Sequence, residues 1–161
     1  MAVTRRKGKE GDYKTVLKKA AKDMSTRLDK AYQAYCYEAI ALLTERTPVD
    51  TGAARFHWFA RLLPSEQFDK ERVDPEGQLA ARRAKRDLKL FRVTQIVYLV
   101  NSAPYFKYLE DGSSTQAPNG VVGITRATLS ASGRWPKLVE AAFSIDPRGD
   151  PSGSSYAQGG K

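Results

Sequence analysis

The sequence predicts an α+β domain: a long N-terminal helix and C-terminal helices packed on a small, mainly antiparallel sheet. Three observations lead there. Apolar residues recur at alternating steps of four and three from Tyr13 to Leu42, the spacing of one helix face. Two later runs, Ala53 to Ala60 and Val93 to Asn101, alternate as half-buried strands do. The remaining apolar residues fall in short stretches punctuated by Pro104, Gly112, Pro118, Gly133 and Pro136, which suits short helices rather than further strands. A chain of 161 residues is of ordinary single-domain size. The domain is placed at 13–145, between a basic N-terminal extension, 1–12, and a Gly-, Pro- and Ser-rich C-terminal extension, 146–161.

The extensions lack periodicity, so each is expected to be disordered alone and ordered only against neighbouring subunits. The first helix carries Tyr13, Leu17, Ala20, Met24, Leu28, Ala31, Tyr35, Ala39 and Leu42 on one stripe. It should run on the order of 50 Å at 1.5 Å per residue, which is longer than its own core needs, so part of it should project. Lys14, Lys18, Lys19, Lys22, Arg27 and Lys30 lie off the stripe, and positive charge near a helix N-terminus opposes the macrodipole. An acidic partner would relieve that opposition.

Pro48 must end this helix, because it has no N–H to donate and pushes Thr47 out of the α region. Asp50 is placed to close an Asx turn and Gly52 to take a positive φ. The strand at 53–60 then sets Phe56 and Trp58 against Arg55 and His57. Residues 61–92 read as an insertion: an irregular loop to Gly77, then a helix-compatible segment with the densest basic patch, Arg82, Arg83, Lys85, Arg86 and Lys89. The strand at 93–101 is apolar on both faces and is expected to be central, with Ile96, Tyr98 and Val100 joining Phe56 and Trp58 in the core. A helical turn from Tyr105 to Glu110 follows Pro104 and ends at Gly112. A helix from about Pro118 carries Val121, Val122, Ile124 and Leu129, and a last helix starts at Trp135-Pro136, proline being well tolerated in a first turn.

Several chemistries find little support. Cys36 is the only cysteine, which excludes an internal disulfide and CxxC zinc or redox sites. His57 is the only histidine, and no serine, cysteine or carboxylate frames it as a catalytic base. Glu110 and Asp111 are adjacent, so their side chains diverge and make a poor acid–base pair. Neither catalysis nor a cofactor, metal or small-molecule ligand is expected. No apolar run approaches a membrane span, and no apolar stretch follows Arg5, Arg6 and Lys7 as in an export signal, so a soluble protein is expected. The 27 Lys and Arg outnumber the 18 Asp and Glu, for a formal charge of +9, which favours anionic surroundings. A basic, non-specific nucleic-acid-binding module is therefore the competing reading, through Arg82 to Lys89 and Arg92.

Three segments together suggest a family: Thr-Pro-Val-Asp-Thr-Gly-Ala-Ala-Arg (47–55), Val-Asn-Ser-Ala-Pro-Tyr-Phe-Lys-Tyr-Leu-Glu-Asp-Gly (100–112) and Ala-Pro-Asn-Gly (117–120). In this order the chain resembles the neck proteins of tailed bacteriophages, the tail-completion or head–tail joining proteins, from about Tyr13 to Phe143. It departs from their pattern at Ala54, where leucine is usual, at Phe106, where a small residue is common, and in the long insertion. The resemblance implies a structural virion protein without catalysis, assembled in the host cytoplasm into a closed ring of six or twelve copies. Its partners would be copies of itself, neighbouring connector or head-completion proteins, tail-terminator or tail-tube proteins, and DNA passing non-specifically through the channel. Tyr105, Tyr108, Glu110 and Asp111 would form an anionic, aromatic corner for a neighbouring subunit.

Overall fold

The computed structural model describes residues 10–144. The expected C-terminal extension, 146–161, lies outside those residues, as does the N-terminal one, 1–12, except for its last three residues, which belong to the first helix. The element order is α1 (Glu10–Arg46), α2 (Ala53–Phe56), β1 (Trp58–Arg61), α3 (Gln78–Leu88), β2 (Tyr98–Asn101), α4 (Phe106–Glu110), α5 (Val122–Ala131) and α6 (Arg134–Ser144). β1 and β2 pair antiparallel, Trp58 opposite Asn101 and Arg61 opposite Tyr98. The class is α+β, with a long first helix, closing helices and a small antiparallel sheet.

The core gathers under the second half of α1. Cys36, Ile40 and Leu43 meet Trp58 and Ala60 of β1, Ala80, Ala84 and Leu88 of α3, and Phe91, Ala117 and Val121. Trp58, 2% exposed, stands edge-on to Phe106 at 5.0 Å between ring centres and donates its indole N–H to Thr47 Oγ1 at 2.8 Å. α6 runs back along α1: Trp135 meets Tyr32 and Tyr35 edge-on, and Arg27 of α1 donates to the Ala142 carbonyl near the end of α6. α3 is amphipathic in the ordinary way, with small apolar residues inward at i, i+4 and i+8. The supposed insertion therefore supplies one wall of the core.

Both predicted strands are shorter than their alternating patterns. Residues 53–56 form a helical turn instead of a strand, closed by Phe56 N–H to Gly52 O at 3.0 Å and His57 N–H to Ala53 O at 3.2 Å. Gly52 takes φ +88 and starts that turn; Thr51 Oγ1, rather than Asp50, accepts from the Ala53 amide. His57 is consequently buried beside Phe56, contrary to the expected alternation. Before β2, residues 92–95 form a turn, in which buried Asp29 accepts from Val93 N–H at 2.8 Å and from Arg92 at 3.0 Å, while Gln95 Oε1 accepts from Arg92 N–H.

The phase of that run is also inverted. Leu99 pairs with buried Ala60, and Val97 and Leu99 pack on the core. Ile96 and Tyr98 face outward, 72% and 41% exposed, and Val100 is half-buried, so these three are not the core residues expected. With two strands in the sheet among the described residues, β2 is an edge strand and not the central strand expected.

Candidate functional site

Four places bring together the charged, aromatic and open apolar groups of the described residues. The first is the joint after α1. Arg55 reaches back so that Nε donates to Thr47 O at 2.9 Å, Nη2 to Glu45 O at 3.0 Å and Nη1 to Pro75 O at 2.7 Å. Two of these carbonyls are at the C-terminal end of α1, where helix carbonyls lack partners and a cation complements the macrodipole. Gln116 grips Val49 through both backbone groups, donating to its carbonyl and accepting from its amide. Asn101 donates to Ala54 O at 2.8 Å and accepts from Ala103 N–H at 3.0 Å. Segments 47–55 and 100–112 are thus joined through Asn101 and Ala54, and Gln116, just before 117–120, ties the next loop to Val49. Between them lies a cleft of about 170 Å³ bordered by Pro48, Val49, Asp50, Tyr105 and Leu109.

The second place is the corner at Tyr105–Asp111. Tyr105, Tyr108 and Asp111 are exposed, as an intersubunit surface needs. Glu110 does something else: Oε2 accepts from Val121 N–H at 2.8 Å and Val122 N–H at 2.7 Å, and Oε1 from Gly123 N–H at 3.0 Å. It fills the role of an N-cap for α5 from a distant element. Burial opposes its ionisation, but the amides of Val122, Val121 and Gly123 outweigh that and hold the carboxyl below its ordinary value. Glu110 thus has both carboxylate oxygens engaged inside its own subunit, while Tyr105, Tyr108 and Asp111 are the more open members of the corner. Gly120, at φ +76, lets the chain pass so close that a Cβ there would sit 2.5 Å from Glu110 O.

The third place is α3. Arg82, Lys85 and Arg86, with Lys89 just past the helix end, are exposed and lie at i, i+3, i+4 and i+7, a single outward stripe. Arg83 leaves that stripe. Its guanidinium lies over the Phe59 ring at 3.9 Å and the Phe56 ring at 4.6 Å, and Nη2 donates to Phe56 O and to Trp58 O. Burial, and then the neighbouring Arg61 charge, lower its pKa. Arg83 accordingly acts as a strut between α3 and β1.

Beside Arg83 opens a cleft of about 810 Å³, lined by Phe59, Arg61, Glu66, Arg72 and His57 among others. Its charged groups pair with one another: Arg61 with Glu66 and Asp87, Arg72 with Asp69. Both nitrogens of His57 are engaged, Nδ1 with Ala53 O at 2.7 Å and Nε2 accepting from Asp69 N–H at 3.0 Å. That pairing fixes the proton on Nδ1 and leaves Nε2 no free lone pair for a substrate. Among the described residues no group of His, Cys, Asp and Glu is arranged to hold a metal ion, and no helix is long and apolar enough to cross a membrane.

The fourth place is the N-terminal half of α1. Every residue from Tyr13 to Thr26 is exposed, including the apolar stripe: Tyr13 69%, Val16 59%, Leu17 67% and Met24 54%. From Ala31 onward the same stripe is buried, at Ala31, Ala39, Ile40 and Leu43. A scan against protein-family models and searches of curated proteins and of solved structures return no match to this chain.

Proposed function

We propose that this chain is a structural protein of a tailed-bacteriophage virion, a subunit of a homo-oligomeric ring in the neck that joins head to tail around the DNA channel. The observation that carries the reading is the bare half of α1. An amphipathic helix in water gains most of its stability from burying its apolar face, so a face left open along fourteen residues is built for another chain. The sequence segments 47–55 and 100–112 support the same reading, since they are joined here: Asn101 of the second bonds to Ala54 of the first, and Arg55 folds the first back onto the end of α1. The outward stripe Arg82, Lys85, Arg86 and Lys89 offers a surface for DNA in the channel or for acidic faces of adjoining rings.

Light scattering on the purified protein tests this. A mass of six or twelve subunits, or incorporation into particles where a tag locates the chain between head and tail, is the expected result. A monomer at every concentration that nevertheless shifts DNA at moderate salt would replace this reading with that of a nucleic-acid-binding module.

A further inference from the structure

We propose that the N-terminal arm of α1, residues 13–26, docks head to tail on a second copy of this chain, in the cleft between Pro48–Ala54 and Tyr105–Leu109. The inference rests on the ring reading and names the surfaces that would build it. The arm brings an apolar stripe, Tyr13, Leu17, Ala20 and Met24, flanked by Lys14 and Lys18, all exposed. Two arms laid against each other would bring lysines against lysines, which disfavours a two-fold arm-to-arm pair.

The cleft has the complementary character. Its walls combine apolar Pro48, Val49, Ala53 and Leu109 with polar Thr51, Ser114 and Gln116, and half-open Tyr105 stands at the edge. Exposed Asp50 borders it, and exposed Glu45 lies on the last turn of α1, three residues before Pro48 of the cleft wall. A volume of about 170 Å³ suits one leucine or tyrosine side chain, given that an apolar cavity of about 150 Å³ takes a benzene.

Geometry excludes docking within one chain. Tyr13 and Pro48 lie at opposite ends of one continuous helix, roughly 50 Å apart at 1.5 Å per residue. An arm can reach only another copy's cleft, while its own cleft stays open for a third. Such a heterologous contact repeats around an axis and closes when the rotation per subunit divides a full turn.

Charge reversal separates the possibilities. One variant carries Lys14→Glu and Lys18→Glu, the other Glu45→Lys and Asp50→Lys; all four sites are exposed, so each variant should melt close to the wild type. Each alone is expected to need at least tenfold more protein to assemble. An equimolar mixture should recover the wild-type mass, because reversed arms then meet reversed clefts. As a second readout, Leu17→Cys with Leu109→Cys should give an intermolecular ladder with a bifunctional maleimide. Native Cys36 should stay silent because burial pushes its thiol up to about 11. Wild-type assembly by both variants, or folded variants whose mixture fails to assemble, overturns the docking and leaves the ring reading standing. A monomeric wild type overturns the ring reading, and the docking with it.

Discussion

Glu110 shows how far a residue's job can lie from its sequence neighbours. Beside Tyr108 and Asp111 it looks like part of an acidic surface; in the fold it binds the first amides of α5, eleven to thirteen positions on. Nothing in the spacing announces this, because the approach depends on left-handed turns at Gly112 and Gly120. Glu110→Gln should cost about 1–2 kcal/mol at pH 7, by loss of a charged cap at a helix N-terminus. The folded pKa lies below the unfolded value, so this stabilisation is present above the unfolded pKa and is lost as pH falls through the folded one. Denaturant titrations should therefore show the wild type and the variant converging below about pH 4, the ordinary glutamate range. Arg83 makes the same point with opposite sign, a cation that its basic neighbours disguise. Arg83→Ala orphans the Phe56 and Trp58 carbonyls and uncovers two aromatic rings, and should cost about 2–4 kcal/mol. Lys85→Ala, on the outer stripe, should stay within about 0.5 kcal/mol in the same melts. The helical period does place Ala80, Ala84 and Leu88 on the face opposite Arg82, Arg86 and Lys89, but it leaves Arg83 at the border, where only the aromatics of β1 decide its direction.

Among the elements, the first helix could be read from sequence almost to the residue at its C-terminal end, because its end is set by local chemistry. Pro48 has no amide hydrogen, and Thr47 N–H already bonds to Leu43 O at 3.1 Å. The positive φ at Gly52 follows from the same kind of local constraint, and so does the restart of α6 around Pro136. The strands were not readable in this way. An alternating run states that two faces differ; it does not state which is covered, and at 93–101 both are apolar. The choice belongs to Ala60, which pairs with Leu99 and turns it inward, and to Asp29, which bends 92–93 out of the sheet. Likewise Ala53-Ala54, good helix formers, wind one turn after Gly52 before β1 begins. That turn is set against Asp74-Pro75: a Cβ at residue 52 would lie 2.5 Å from Pro75 N. Gly52→Ala should therefore lower stability by more than the roughly 1–2 kcal/mol of a left-handed alanine alone, a difference measurable by thermal unfolding. A loss below 1 kcal/mol would mean that residues 74–75 yield easily and that the joint is looser than its hydrogen bonds imply.

At the scale of the molecule, stability is concentrated at one end. The second half of α1 is wrapped by β1, α3, α5 and α6, whereas among the described residues no element buries the first half, which α6 only borders at Asp23 and Thr26. A fourteen-residue helix without tertiary support is marginal in water, and Lys14, Lys18, Lys19 and Lys22 near its start work against the macrodipole. It keeps its shape chiefly because the buried half supplies a nucleus from which it extends. The two halves should therefore separate in hydrogen exchange. In dilute solution, amides from Val16 to Ser25 should exchange through local fraying with little protection, while those around Ile40 and Leu43 exchange only when the domain unfolds as a whole. Raising the protein concentration through assembly should slow exchange in the arm and leave the core amides, already limited by global unfolding, much less changed. The same titration should slow exchange at Val49 to Ala54 and at Tyr105 to Leu109, the two walls of the cleft that the docking covers. Protection rising in the arm alone would place it against some other surface of the neighbour. Protection that is high and independent of concentration would mean that the helix holds itself, and that its apolar stripe is open without being a contact.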